Sequence, residues 1–497
     1  MSTASELPLA HAGSMRHTLP AEKKIVTRTI LALALLTAAG AWLRLSHLGT
    51  KSLWLDEGAT VALARASWSH FIWVWWHGEA NPQTIYFLVM RGWILLGRSE
   101  TCLRLPSALF GVASIPLMYV MARRFVSVGP ALEAAALLAF SPAHVYYSQE
   151  ARSYTLTILF VLLSSYFFVR AVEGDRRRDW VLWTILCILA FYSHYFSALV
   201  PVAQACSLFF RKKPPWKPTI VGGLVILVTA IPGLTYIFRA APENLHFIWM
   251  PQASPRELWH LGMFYGGSGV KVFLALILWI AGLVAIARTR GRDSESFWRG
   301  MLIVSWAVLP AAITAAVSLR HPIFMQRYLI FSLPATMLLA AMGMAALRKM
   351  HVGVVLVVAL CAMSIPTIVK DYHKPREDWR SASSAILASA LPGDAVVFFP
   401  FYTRIMLDYY SGRATSQPAL HVFAPQYYAG GEDERDLLQA LSSNPHQFRR
   451  VWVVLYGSRE ERDLEERSPA LAAKLQPSYP PPEVRRFADI TVLEFGK

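Results

Sequence analysis

Two adjacent acids, Asp56 and Glu57, stand in the stretch SLWLDEGAT (residues 52–60), just past an apolar run at residues 29–48. A carboxylate at the edge of an apolar segment costs free energy unless it is paired or used. If the stretch is helical, neighbouring residues point about 100° apart, so the two acids cannot address one atom equally. One can act as a general base while the other caps backbone N–H groups. Read alone, the pair is better explained as caps of a juxtamembrane helix. A second polar group interrupts the apolar pattern in YYSQEARSY (residues 146–154). Glu150 and Arg152 there form either an internal ion pair or a site in which Arg152 binds phosphate, with Gln149 and Tyr154 as supporting donors. A third is SLRHPIFMQRYLIF (residues 318–331), where Arg327 and Tyr328 lie deeper in the apolar run than Arg320 and His321. Arg327 is the better anion ligand, and Arg320 suits snorkelling to headgroups, as does Arg44. His77, Glu79 and Asn81 can line the same cavity. Acids of this kind suit deprotonation of a hydroxyl, and arginines suit a phosphate leaving group.

The elements that must hold these groups are membrane spans. The 497 residues are 55% hydrophobic and only 16% charged, against about 25% charged in soluble domains. The net charge of +16 does not point to nucleic acid, because the Lys and Arg clusters fall between apolar runs as the positive-inside rule requires. The four cysteines show no ligand spacing, and no disulfide framework or metal site is expected. Residues 1–28 are polar and basic and should stay cytoplasmic, which puts Asp56 and Glu57 on the outer face. From there every second segment end is strongly basic, as at Arg123–Arg124, residues 176–178, 211–213 and 288–290. This register gives about eleven spans within residues 29–370. The run at residues 84–97 is short and contains Arg91, so it is placed along the interface, inside a large helix-rich first outer loop (residues 49–104). The tryptophans of that loop suit an interfacial position. Residues 371–497 then read as a small extracytoplasmic α/β domain. It has an amphipathic helix, a Pro-Gly-Asp turn, strands at VVFF, RRVWVVLYG and DITVLEF, and a helix at residues 462–476. The expected fold class is therefore a polytopic α-helical membrane protein with that outer domain, multi-pass in a cell (inner) membrane.

SLWLDEGAT, the segment from Asn81 to Phe125 and SPAHVYYSQEARSYTL together resemble the bacterial branch of the GT-C glycosyltransferases. These are the relatives of protein O-mannosyltransferases and of the lipid A aminoarabinose transferase. The match is strongest over residues 43–170 and weaker later, apart from QRYLIFSLPA and REDWRSA. The resemblance implies a polyprenyl-phosphate sugar donor and an inverting single displacement, with Asp56 as base and Glu57 in support. It also sets Glu150 and Arg152 near the site and Arg327 toward the donor phosphate. Many relatives carry His-Pro-Pro or Lys-Pro-Pro where this chain has Asn81-Pro82-Gln83, so a basic contribution is missing there. No metal or other cofactor is assigned. The expected partners are the lipid-linked sugar donor and a lipid, protein or polysaccharide acceptor.

Two readings from other classes compete. A lipid-linked-sugar flippase would place charged residues near midplane along a path open to both faces. A non-catalytic envelope assembly partner would need only the outer domain. The register gathers the key charges at one face, which favours the enzyme.

Overall fold

The computed structural model describes residues 18–77, 83–240, 250–347, 352–414, 418–423, 439, 443–444, 447–457, 475 and 479–496, except 292 and 375. The chain opens with α1 (Thr18–Leu45), so the last part of the expected cytoplasmic tail is already helical. A long loop follows, carrying three short helices, α2 (Leu55–Arg65), α3 (Trp68–His77) and α4 (Thr84–Trp93). At 10 residues α4 cannot cross a bilayer, since a span needs about 20. Its Arg91 donates to the Ala66 carbonyl at the end of α2 and stacks 4.0 Å from the Trp68 ring centroid.

The bundle comprises α5 (Glu100–Ala122), α6 (Val128–Ala139), α7 (Pro142–Ser148), α8 (Tyr154–Gly174), α9 (Arg177–Ser193), α10 (Leu199–Ser207) and α11 (Trp216–Ala240). It continues with α12 (Pro255–Gly266), α13 (Val270–Thr289), α14 (Ser294–Ser318), α15 (Leu333–Ala346) and α16 (Val352–His373). Among the described residues 8 helices are long and apolar enough to cross a membrane, and 9 if α6 and α7, bent by 54°, count as one span. All eleven expected segments are helical, but α9 has only 17 residues and α10 only 9. Hydropathy alone does not separate short packed helices from full spans. The loop after α11 also contains α12, which starts at Pro255 behind its N-cap Ser254.

Two packing features follow from small and basic residues. At the α6–α7 break the freed carbonyls of Leu138 and Ala139 accept from Arg44, which also bonds His144 Nδ1 at 2.8 Å. Arg44 is fully buried, so it does not snorkel as the sequence suggests: an interrupted helix offers it acceptors that lipid headgroups would otherwise supply. Helices α13 and α15 approach through Gly282 and Gly343. A Cβ at Gly343 would lie 2.1 Å from the Leu278 carbonyl oxygen, and one at Gly282 2.3 Å from that of Leu339. Small residues permit such backbone contact between membrane helices.

Beyond α16 lie α17 (Trp379–Ser389), β1 (Ala395–Phe399), α18 (Arg404–Ser411), β2 (His421–Phe423), β3 (Arg450–Tyr456), β4 (Glu483–Phe487) and β5 (Ile490–Gly496). The sheet order is β2-β1-β3-β5-β4, with β1 parallel to β2 and β3, and β5 antiparallel to β3 and β4. The three expected strands are β1, β3 and β5. The two others are edge strands: β2 has three residues and β4, EVRRF, is mostly exposed, so neither shows an apolar pattern. The helix expected at residues 462–476 lies, but for Leu475, outside the described residues. Side chains alternate across the sheet. Val396, Phe398, Trp452 and Val454 share a core with Leu53, Val61, Tyr86 and Trp379, whereas Val397, Val451 and Phe495 pack on the far side. One hydrophobic core thus joins the loop after α1 to the C-terminal domain.

Candidate active site

The site is built on the N-terminus of α2. Its N-cap is Trp54, which has no side-chain acceptor, so the caps come from elsewhere. Glu57 Oε2 accepts from Trp54 N at 3.2 Å, and Glu377 of the C-terminal domain accepts from Leu55 N at 2.9 Å. Glu377 is itself fixed by Trp379 Nε1 and Tyr456 Oη, at 2.7 and 2.8 Å. Upstream, Tyr410 Oη accepts from Leu53 N at 3.0 Å, and Arg380 donates to the carbonyls of Gly49 and Lys51. Gly58 lets α2 pack closely on α18: a Cβ there would come within 2.3 Å of Met406 Sδ, and the methionine would have to shift. The C-terminal domain therefore holds in place the loop that carries Asp56.

On this frame the two acids diverge, as helical geometry demands. Glu57 is wholly buried. It forms a two-pronged pair with Arg104 (2.8 Å from Nε to Oε1, 2.7 Å from Nη2 to Oε2) and accepts from Ala151 N at 2.7 Å. The resemblance sets Glu57 in support of Asp56; in the structure it caps Trp54 N and clamps α2 to α5 and the turn before α8. Both of its oxygens are occupied by N–H donors, so it has no lone pair aimed at a reacting group. Asp56 differs. Its side chain is 32% exposed, and its Oδ2 lies 3.5 Å from Arg152 Nη2. The first turn of a helix also favours its negative charge.

The turn between α7 and α8 supplies the partners. Arg152 is buried and also donates through Nη1 to the Asp56 carbonyl at 3.2 Å and to Thr60 Oγ1 at 3.4 Å. Its backbone is held by Ser107, while Ser153 N donates to Gln83 Oε1 at 3.3 Å. Gln83 thus has a structural duty here; Asn81 lies outside the described residues. Gln149 does not support the site as a donor. Its amide caps the end of α1 through the carbonyls of Ser46 (2.7 Å) and Arg44 (3.3 Å). Glu150 bonds Arg376 at 2.7 Å, and burial pushes its carboxyl above the usual range.

Arg327 lies 5.7 Å from the Trp54 ring centroid and 5.4 Å from that of Tyr328, within electrostatic reach of Asp56 and Tyr154. Tyr154 is buried, and its Oη has no hydrogen-bond partner among the described residues. Tyr328 packs 5.3 Å from the ring of His194, which lies 5.9 Å from Tyr154. Burial, then the charges of Arg152 and Arg327, push His194 down to about 3, so the ring is neutral at pH 7. Asp56, Arg152, Arg327, Tyr154 and Tyr328 therefore come together from α2 and two distant segments. Sequence reasoning missed His194, Arg104, Arg376 and Glu377. The last two stand in REDWRSA, directly after the final span, where two charges so close to a membrane edge are the available signal. Among the described residues no three His, Cys, Asp or Glu side chains group as metal ligands would.

Comparison with known proteins bears on this arrangement. Residues 80–236 match the model of the dolichyl-phosphate-mannose-protein mannosyltransferase family. No curated protein sequence matches the chain. Its structure is similar to that of ArnT from Cupriavidus metallidurans in the apo state, at 14% identity and a TM-score of 0.60, over 95% of this chain and 98% of that one. ArnT bound to undecaprenyl phosphate aligns at 15% identity and a TM-score of 0.53, over 93% and 97%. The Archaeoglobus fulgidus oligosaccharyltransferase AglB, in complex with an inhibitory peptide and a dolichol-phosphate, aligns at 12% and 0.51, over 94% of this chain and 74% of that one. The shared architecture spans more than nine tenths of this chain in each case. The chain is a multi-pass membrane protein with the GT-C fold and a small C-terminal sheet domain.

Proposed function

We propose that the chain is an inverting glycosyltransferase that moves a hexosyl or pentosyl group from a polyprenyl-phosphate carrier to a hydroxyl acceptor, with Asp56 as general base. The observation that carries this is Asp56 itself. It is a part-exposed carboxylate at a helix N-terminus, flanked by Arg152 and Arg327, beside a second acid whose lone pairs are all occupied. The acceptor hydroxyl gives its proton to Asp56 as its oxygen bonds to the sugar's anomeric carbon. The bond from that carbon to the phosphate oxygen breaks, and its electron pair leaves with the phosphate. Arg152 and Arg327 are placed to stabilise that charge. The family match and the lipid phosphates bound in ArnT and AglB support such a donor. The alternating basic clusters support a cytoplasmic N-terminus, residues 29–370 as the membrane domain, and chemistry at the outer face beneath an extracytoplasmic domain at residues 371–497. The acceptor is a lipid, protein or polysaccharide hydroxyl.

The test is sugar transfer from synthetic polyprenyl-phosphate donors, comparing wild type with Asp56→Asn. A general base is worth about 10²–10⁴ in rate, so the variant should fold normally and lose transfer by that factor. A folded Asp56→Asn enzyme with full transfer would show that Asp56 is not the base.

A further inference from the structure

We propose that Arg376, assisted by Lys51, is a ligand of the carrier phosphate, and that Glu150 is the counter-ion it gives up when the phosphate binds. This rests on the glycosyl-transfer reading above. Arg376 lies in the connector between α16 and α17, and its guanidinium stacks 3.3 Å from the ring centroid of Trp54, two residues before Asp56. It donates to Glu150 Oε1 at 2.7 Å and to Tyr146 Oη at 3.3 Å. The other oxygen of Glu150 is buried and has no partner among the described residues. A small cavity of about 30 Å³ lies beside the pair, lined among others by Lys51, Trp54, Tyr146, Gln149, Glu150 and Arg376. Lys51 Nζ lies over Tyr146, 5.3 Å from its ring centroid.

A buried acid with one unmet oxygen is a costly partner for an arginine. A phosphate offers several acceptors in the fork geometry that guanidinium prefers. The Arg376 side chain is 32% exposed, against 7% for Glu150, so the arginine is the partner with room to change ligands. Stacking on Trp54 holds the cation in place during the exchange. Arg376 also lies within electrostatic reach of Asp56 and Arg327, which puts it in the charge cluster of the base. When the bond between the anomeric carbon and the phosphate oxygen breaks, the phosphate gains one negative charge. A further cation at that oxygen therefore favours the transition state and the lipid product over the donor.

The experiment measures binding of undecaprenyl phosphate, undecaprenol and inorganic phosphate to the full-length protein in nanodiscs. Wild type is compared with Arg376→Ala, Arg376→Lys and Glu150→Gln. Loss of a charged hydrogen bond to phosphate should weaken undecaprenyl phosphate binding by about tenfold to a hundredfold in Arg376→Ala. Arg376→Lys should recover part of this, and undecaprenol should bind all four alike. Glu150→Gln should bind undecaprenyl phosphate more tightly than wild type, because Arg376 loses a competing anion. A merely structural pair would make Glu150→Gln and Arg376→Ala fail together, which overturns the proposal. Wild-type affinity in Arg376→Ala overturns it too, leaving the transferase reading intact if wild type transfers sugar. Inorganic phosphate competing as well as the lipid overturns the carrier assignment. A wild type that binds no undecaprenyl phosphate and transfers nothing overturns both readings.

Discussion

Replacing Glu57 by Gln separates a clamp from a catalyst, because the two roles predict losses of stability of different size. In the structure Glu57 receives hydrogen bonds from Arg104 Nε, Arg104 Nη2, Ala151 N and Trp54 N, with no exposure to solvent. Gln keeps one carbonyl oxygen but turns the other position into a donor that faces donors. Arg104 is then left buried without its counter-charge. Removing one partner of a buried pair costs about 3–5 kcal/mol. The carbonyls of Leu48, Lys51 and Ser52 still accept from Arg104, so the lower end, about 3 kcal/mol, is expected here. Reversible denaturation of detergent-purified protein measures this loss. A double-mutant cycle with Arg104→Met should return a coupling of the same order, since the double variant leaves no charge stranded. If Glu57→Gln loses less than about 1 kcal/mol while abolishing transfer, Glu57 takes part in the chemistry and the clamp assignment is refuted.

Other consequences of the structure are as accessible. Gly343→Ala drives a Cβ to 2.1 Å from a backbone oxygen of α13, whereas at Gly223 nothing lies within 4 Å. Thermal unfolding should show a loss of about 1–3 kcal/mol for Gly343→Ala and little change for Gly223→Ala. Glu377→Ala removes the cap on Leu55 N supplied from the C-terminal domain, and should lower transfer without touching Asp56, as read in the same donor assay. Burial raises the Glu377 carboxyl above its ordinary value of 4.5. The folded chain therefore holds that proton more tightly than the unfolded chain, and this contribution to stability falls as pH rises from 4.5 toward the raised value. Glu377→Gln lacks that slope, so wild type should lose stability relative to it over this window in pH-dependent melting curves.

The sequence by itself determined the elements whose signal is local. Apolar length marked the helical segments, turn residues and short apolar runs marked β1, β3 and β5, and the Asp-Glu pair drew attention to residues 52–60. Helical geometry also required the two acids to face different ways. Which of them stays open was decided only by tertiary structure, because it depends on Arg104 and Ala151, 47 and 94 residues away from Glu57. The same holds for Arg44 and Gln149. Their types suggested snorkelling and support of a phosphate site, but the carbonyls they satisfy belong to a helix break and a helix end that no local pattern reveals. Edge strands β2 and β4 escaped for a related reason: pairing with a neighbour, not their own burial, makes them strands. Residue type and spacing limit which groups can do chemistry, whereas the supply of distant donors and acceptors decides which of them remain free to do it.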